Sequence, residues 1–268
     1  PDGLRSIGYQ SFFCCYALKN VSLPSTVTTL KSDAFSFCRA LESINLPEGL
    51  TTIEEDLFYF CGALNRVNIP SSVTKIGSGA FYTVPAKDLV LPPNLTELGS
   101  RAFGKCTGLT TVSLPRTLTK ISYGVFEHCT ALRSIYAYNP TPVDLTAHSY
   151  APVFNNVSKT LCTLYVPSGS KVAYWYATEW GDFSKIIEMT TAVADLPAGA
   201  LVLAPNPVAD YLQLEGLSGA ADIRIVDLNG REWMKSTLQP GEMLDVRSLA
   251  KGSYLVVTEG QALKMIKN

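Results

Sequence analysis

The chain has 268 residues, of which 47% are hydrophobic and 17% charged, and its formal net charge is −1. This length predicts one or two domains, and the composition is that of an ordered protein. A near-neutral chain lacks the clustered basic excess of nucleic-acid-binding proteins, so we expect no nucleic acid partner. No run approaches the roughly 18 apolar residues of a spanning helix, so we expect no transmembrane segment. The first residues already follow a structural pattern, so we expect a signal peptide to be absent from this chain.

A phenylalanine and a proline recur through the first half of the chain at a nearly constant interval. The phenylalanines are Phe12, Phe35, Phe58, Phe81, Phe103 and Phe126, and the prolines are Pro24, Pro47, Pro70, Pro92 and Pro115. Both series advance by 23 residues except for one step of 22. Such a period indicates a solenoid, in which units that cannot bury their apolar faces alone stack on one another.

Each unit reads approximately L-x-x-I-x-L-P-x-x-V-T-x-I-x-x-x-A-F-x-x-C. The alternation in L-x-x-I-x-L predicts a short strand with one buried face, and the proline ends it because proline cannot donate to a ladder. Stacking these strands predicts a mainly β fold with a parallel sheet on one side of a curved solenoid. We place the repeats at about residues 4–140 and a cap at 141–188, so that the solenoid occupies 1–188.

The consensus resembles the BspA-type leucine-rich repeats of bacterial surface proteins. The resemblance rests on the recurring I-x-L-P, on Val73–Gly77, and on the A-F-x-x-C segments at Ala34–Cys38 and Ala102–Cys106. The fourth of the five or six copies departs from it, because Val84 stands where the others have cysteine. The resemblance implies a surface or secreted protein that binds a partner and is not an enzyme.

Five cysteines each follow a repeat phenylalanine by three residues: Cys15, Cys38, Cys61, Cys106 and Cys129. They could form a line of metal ligands or a redox relay, but a column of small buried side chains is the better interpretation. Free cysteine is among the most buried residue types, and Val84 occupies the same slot. Neighbouring strands lie about 4.8 Å apart, which leaves disulfides between repeats open. Cys14 and Cys162 lie off this series.

The pattern loosens after Ile135 and is expected to form a cap. Leu164, Val166 and Pro167 predict one more repeat strand, and Val172, Trp175 and Tyr176 suggest a short helix that follows a serine. Most aromatic residues here are expected to pack the cap. Two of them, Tyr136 and Tyr138, are predicted to be exposed and to offer platforms for a sugar ring.

Residues 189–200 predict a linker, and 201–268 follow a different pattern of short alternating strands. The candidate strands are Tyr211–Leu214, Ile223–Asp227, Glu232–Lys235, Met243–Val246 and Tyr254–Thr258, with a hairpin signal at Asn229–Gly230. Regular short strands over this length predict a small immunoglobulin-like β-sandwich.

The same segment resembles the C-terminal sorting domain of the type IX secretion system. The matching motifs are Pro205–Pro207, Asp227–Gly230, Leu249–Tyr254 and Lys264–Lys267. The resemblance implies that the secretion machinery recognises 201–268 and exports the chain to the bacterial outer-membrane surface or the extracellular space. A generic accessory module is the alternative, and the sequence leaves open whether this segment is later removed.

Residues suited to catalysis or metal binding are sparse. The histidines, His128 and His148, have no spacing typical of metal ligands, and no known catalytic or nucleotide-binding motif occurs. The densest acidic run, Glu54–Asp56, is interpreted as a solvated turn. We therefore expect no enzyme, no cofactor and no metal.

Residues that alternate with the buried strand positions are predicted to line the outer, concave face of the sheet and to bind the ligand. They are Asn20, Ser22, Ser43, Asn45, Arg66, Asn68, Asp88, Thr111, Ser113, Ser134 and Tyr136. A host or neighbouring-cell protein is the expected ligand, and a glycan held with Tyr136 or Tyr138 is the alternative. A second polar line is interpreted as strand propensity on an exposed strand: Thr28, Thr51, Thr74, Thr96 and Thr119. The oligomeric state stays open.

Overall fold

The computed structural model describes residues 3–65, 67–146, 151–189, 201–204, 208, 210–227, 231–258 and 261–267. The chain divides into two compact units, Pro1–Thr191 and Ala192–Asn268, each with its own hydrophobic core. None of the helices within these ranges is both long and apolar enough to cross a membrane.

The first unit is a solenoid of short parallel strands. In chain order they are β1 (Ser6–Ile7), β2 (Asn20–Val21), β3 (Thr29–Leu30), β4 (Ser43–Ile44), β5 (Thr52–Ile53), β6 (Lys75–Ile76), β7 (Asp88–Val90), β8 (Glu97–Leu98), β9 (Thr111–Leu114), β10 (Lys120–Ile121), β11 (Ser134–Ala137), β12 (Thr163–Val166) and β13 (Lys185–Glu188). On the first side, β2 pairs with β4, and β7, β9, β11, β12 and β13 form a five-stranded sheet. Both are parallel, which confirms the predicted parallel-sheet solenoid.

The V-T-x-I segments build a second side that the repeat pattern did not identify as a sheet. Here β1 pairs with β3, and β5, β6, β8 and β10 follow one another in parallel register. Each strand is two residues long and buries one of them, as Ile76 and Ile121 show. Two residues per repeat suffice to form this second sheet because the same pairing recurs at every repeat.

The A-F-x-x-C turns form a third side, tied together by backbone hydrogen bonds. In the second repeat the N–H groups of Asp33, Phe35 and Phe37 donate to carbonyls of the third repeat over 3.2, 3.1 and 2.7 Å. Asp33 and Phe37 adopt left-handed backbone, each with a φ of 58°. These two residues reverse the chain on either side of the buried phenylalanine, so its N–H and theirs all point toward the next repeat.

The core of the solenoid is a continuous column of stacked phenylalanine rings. Its members are Phe12, Phe35, Phe58, Phe81, Phe103, Phe126 and Phe154, with successive ring centroids 5.1, 5.8, 5.5, 5.2, 5.9 and 5.8 Å apart. Phe154 belongs to a repeat that the sequence pattern did not show, because an insertion separates it from Phe126. In that repeat Val153 and Val157 replace the usual alanine and cysteine and are buried.

The column ends against the predicted cap. Trp180 and Phe183 meet the Phe154 ring edge-on at 5.1 and 5.2 Å. The cap contains a helix α1 (Lys171–Tyr176) and a short 3₁₀ helix (Trp180–Asp182). The Glu179 carboxylate accepts hydrogen bonds from the N–H groups of Val153 and Phe154 at 3.0 and 3.2 Å. It therefore satisfies the N–H of Phe154, whose equivalents in earlier repeats donate to the next repeat, and that of Val153 as well.

The second unit is made of antiparallel strands. They are β14 (Val202–Ala204), β15 (Tyr211–Glu215), β16 (Ala221–Asp227), β17 (Glu232–Leu238), β18 (Met243–Asp245), β19 (Gly252–Thr258) and β20 (Gln261–Lys267). They form the sheets β14-β15-β18 and β17-β16-β19-β20, as expected for a small β-sandwich. Five strands were predicted; β14 and β20 were missed, since Q-A-L-K-M-I-K does not alternate cleanly. Asn229–Gly230 lies outside the described residues, but β16 and β17 pair as the predicted hairpin.

Candidate functional site

The sheet face consists of side chains that point outward from the first side of the solenoid. Strand register arranges them in two rows at the C-terminal end. One row runs through Thr111, Ser134, Thr163 and Lys185, with the backbone of Asp88 in register beside Thr111, and the other runs through Val90, Ser113, Tyr136, Tyr165 and Ile187. The sequence prediction omitted Thr163, Tyr165, Lys185 and Ile187. The first two could have been found, because T-L-Y-V-P repeats the alternation of the earlier strands.

The N-terminal half of the sheet face is polar and exposed, as predicted. The exposed residues are Asn20, Ser22, Ser43, Asn45 and Asn68. The Ser43 hydroxyl donates to Asn20 Oδ1 at 2.6 Å. Asn45 Oδ1 accepts from the Leu23 N–H at 2.7 Å, and Asn45 Nδ2 donates to the Leu23 carbonyl at 2.9 Å. Asn45 therefore joins two repeats, while Asn68 and Ser22 extend into solvent. Arg66 and the side chain of Asp88 lie outside what the structure describes.

The C-terminal half of the sheet face differs from the prediction. Thr111 and Ser134 are half-buried, and Ser113 and Tyr136 are each only 3% exposed. The Tyr136 ring stacks on Tyr165 with centroids 4.6 Å apart and planes 8° apart. The expectation of an exposed ring at Tyr136 is therefore wrong, and it is also wrong for Tyr138, which is equally buried. Alternation along a strand predicts which way a side chain points but not what covers it.

The exposed aromatic residues of the cap lie on helix α1 instead. Val172, Trp175 and Tyr176 are 67%, 54% and 85% exposed, whereas the fully buried residue of the helix is Tyr174. The Tyr174 hydroxyl donates to the Asn139 carbonyl at 2.7 Å. Val172, Trp175 and Tyr176 correctly predicted the helix, but the residue that the helix buries is Tyr174. A tyrosine can be buried when its hydroxyl finds a carbonyl, and periodicity of apolar residues does not register that contact.

The threonine line has a structural explanation. Thr74, Thr96 and Thr119 donate their hydroxyls to backbone carbonyls of the preceding repeat at 3.3, 3.0 and 3.2 Å. The side chains are exposed, but they bind the solenoid itself. This agrees with the interpretation of the line as part of the scaffold.

All seven cysteines are free thiols, and the column of five follows the predicted packing. Cys38, Cys61, Cys106 and Cys129 point their Sγ atoms at backbone carbonyls of the preceding repeat, at 3.1 to 3.2 Å. Burial raises the pKa of Cys38 to about 11 and that of Cys61 to about 12. These thiols stay protonated at neutral pH, so they are poor nucleophiles and poor metal ligands.

Metal binding finds no support among the residues that the structure describes. Within those ranges, no three His, Cys, Asp or Glu side chains lie close enough together to hold an ion. The Asn156 amide nitrogen lies 3.3 Å from His128 Nδ1, beside the last repeats. His148 lies outside the described ranges.

The acidic run Glu54–Asp56 is only partly solvated, contrary to the prediction. Glu55 is exposed, but Asp56 is half-buried and its backbone is left-handed, with a φ of 53°. Burial, with the charges of Asp33 and Glu55, raises the pKa of Asp56 to about 6.

Replacing Asp56 with asparagine is expected to stabilise the solenoid at pH 7 by about 1 kcal/mol, allowing for partial solvent screening. A carboxyl whose folded pKa is raised stabilises the fold fully below its unfolded pKa, and this contribution is lost as pH rises through about 6. The gain should therefore vanish near pH 4. Denaturation of both chains at pH 4 and 7 measures it, with the exposed Glu42→Gln as control. An equal gain at both pH values would contradict this account. Asparagine also tolerates the left-handed backbone.

Comparison with known proteins finds a matching family model for each of the two units. The model of the BspA type leucine-rich repeat region matches residues 5–133 and 76–158, with six copies. The model of the secretion system C-terminal sorting domain matches residues 202–268. None of the curated proteins matches the chain.

Solved structures of bacterial leucine-rich-repeat proteins are similar to the first unit. One from Bacteroides ovatus is 28% identical, with a TM-score of 0.51, over 61% of this chain and 43% of that one. One from T. pallidum is 22% identical, with a TM-score of 0.44, over 60% of this chain and 78% of that one. The chain thus spans less than half the length of the Bacteroides ovatus protein. From its repeats and its C-terminal segment, the chain belongs to the BspA-type leucine-rich-repeat family and is a secreted or cell-surface protein with a C-terminal sorting domain.

Proposed function

We propose that this chain is a non-enzymatic binding protein that holds a protein ligand on its sheet face. The observation that carries the proposal is the row of exposed short polar side chains on neighbouring repeats, from Asn20 to Asn68. Hydrogen bonds between repeats hold Asn20, Ser43 and Asn45 of this row, so these side chains lose little conformational freedom on binding. A preorganised row of amides and hydroxyls suits hydrogen bonding to a broad partner surface.

A protein ligand accounts for the sheet face better than a glycan does. The glycan alternative depended on open rings at Tyr136 and Tyr138, and both rings are buried. Tyr136 also uses one of its faces to stack on Tyr165. The polar half of the sheet face offers amides and hydroxyls, without an aromatic platform for a pyranose ring.

The second unit explains how the binding face reaches the outside of the cell. A sorting domain at residues 202–268 is the segment that a secretion system recognises. We propose that the type IX machinery exports the chain through this segment, so that the solenoid meets its ligand outside the cell. The binding face and the secretion signal then belong to separate units.

The proposal is tested by binding of the full chain to immobilised collagen, fibronectin and laminin, beside a broad glycan array. The sheet-face variant Ser43→Glu/Asn68→Glu should bind at least tenfold more weakly than the unchanged chain. The control variant Ser25→Glu/Thr51→Glu adds the same charge to exposed positions off this face and should bind normally. Equal binding by the sheet-face variant would refute the assignment of the face. Binding to glycans without binding to any of the three proteins would show that the ligand is a sugar and not a protein.

A further inference from the structure

The turn side of the solenoid carries a second set of aromatic side chains, outside the buried phenylalanine column. We call it the aromatic strip: Phe13, Phe37, Tyr59, Phe60 and Tyr82. Phe37 stacks on Phe60 at 5.2 Å and Tyr59 on Tyr82 at 5.0 Å, while Phe13 meets Phe37 edge-on at 5.7 Å. Phe13 is 41% exposed, Phe37, Tyr59 and Phe60 are half-buried, and Tyr82 is buried. The strip therefore forms an apolar surface across the first three repeats, and the buried Tyr82 supports it from the fourth.

The solenoid itself does not require these aromatic residues. The strip occupies the two slots that follow each column phenylalanine, and in the last three repeats these slots hold Gly104, Lys105, Glu127, His128, Asn155 and Asn156. The backbone is the same in both halves, with φ of 58° at Phe37 and 59° at His128. Bulky side chains are disfavoured in left-handed backbone. The backbone of the turn therefore does not account for aromatic residues at these slots.

The orientation of the rings favours a protein over a sugar as the occupant of the strip. Phe37 and Phe60 cover each other's faces with planes 2° apart, and so do Tyr59 and Tyr82 at 17°. A sugar ring stacks on an open aromatic face, and each of these rings gives one of its two faces to its neighbour. The partly exposed rings can also pack their edges against other aromatic side chains.

Opposite charges flank the strip on its two long margins. Asp33 and Asp56 precede the strip residues in the second and third repeats, and Arg39 follows them in the second repeat. The Arg39 guanidinium lies over the Phe37 ring at 6.0 Å, and Asp56 lies beside Tyr59. Among the residues that the structure describes, none of these three charged groups takes part in an ion pair. Because the two carboxylates lie on one side of the strip and the guanidinium on the other, two copies can set opposite charges against each other.

We propose that the aromatic strip pairs with the same strip of a second copy of this chain. A two-fold axis parallel to the solenoid axis brings the rings of the two copies together. The same axis sets Asp33 and Asp56 of each copy against Arg39 of the other copy. Four repeats span only about 15 Å, so the contact is a weak one that is effective when copies are crowded on a surface.

Analytical ultracentrifugation of the full chain over a wide concentration range tests the pairing. The unchanged chain should form a dimer with a dissociation constant in the micromolar range. Phe37→Lys/Phe60→His uses residue types that the fold accepts at the same slot and should raise this constant at least tenfold. Trp175→Ser/Tyr176→Ser removes two rings elsewhere that are more exposed than Phe37 and Phe60, and it should leave this constant unchanged. A chain that stays monomeric at 500 µM, on the order of weak interface affinities, would overturn the proposal.

A charge exchange tests the arrangement of the two copies. Arg39→Glu, and separately Asp33→Lys/Asp56→Lys, should each weaken self-association at least fivefold. An equimolar mixture of the two variants should associate again, because each interface then pairs opposite charges. Failure of the mixture to associate would overturn the parallel two-fold pairing. Circular dichroism of each variant checks that the solenoid is folded.

Discussion

Replacing Phe58 with alanine is expected to lower the free energy of unfolding of the solenoid by about 4 kcal/mol. Phe58 is completely buried, and its ring stacks between Phe35 at 5.8 Å and Phe81 at 5.5 Å. Truncation removes the transfer free energy of the ring and leaves a cavity between two repeats. The backbone there is held by hydrogen bonds to both neighbours, so the cavity cannot close by local collapse.

The measurement is chemical denaturation of the full chain, followed by far-ultraviolet circular dichroism. Phe58→Leu keeps most of the apolar volume and should cost about 1 kcal/mol. Phe13→Ala removes a ring of the same size that is 41% exposed and should also cost less than about 1 kcal/mol. Similar losses for Phe58→Ala and Phe13→Ala would show that the column does not dominate the core.

Glu179→Ala is expected to destabilise the solenoid by about 3 kcal/mol, because hydrogen bonds to a charged group are worth roughly 1.5–3 kcal/mol each. The Glu179 carboxylate is the acceptor for the N–H groups of Val153 and Phe154, two residues that are completely buried. Without it, these donors face the apolar cap with no partner. Lys159, whose pKa burial lowers, also loses a nearby opposite charge.

The same denaturation experiment separates this role from a general effect of mutating the cap. Glu179→Gln retains a carbonyl oxygen as acceptor and should lose about 1 kcal/mol. Thr178→Ala changes an exposed neighbour and should be almost neutral. If Glu179→Ala were as stable as Thr178→Ala, Glu179 would not be the acceptor that stabilises the N–H groups of Val153 and Phe154.

The sequence predicted the features of the fold that depend on period. A step of 23 residues, an alternating L-x-x-I-x-L segment and a recurring phenylalanine led to the parallel sheet and the stacked core. The cysteine column followed from the same period. The seventh repeat, around Phe154, escaped because its alanine and cysteine slots hold Val153 and Val157 and an insertion displaces it.

The candidate site could be predicted only in part. Alternation correctly identified Asn20, Ser43 and Asn68 as exposed polar residues on the sheet face. It could not show that Asn45 spends its amide on the Leu23 backbone, because that bond joins residues 22 positions apart. Nor could it show that Tyr136 stacks on Tyr165.

What the sequence alone determined is the repeat, the direction of the strand side chains and the family of each unit, since all three are written in local spacing. Tertiary structure alone decided which polar and aromatic side chains remain available to a partner. The buried Tyr136, the exposed Trp175 and the aromatic strip around Phe37 each depend on contacts between repeats. The exposure of a side chain depends on the residues around it in space. A periodic sequence predicts which repeats are neighbours, but not how much of a given side chain those neighbours cover.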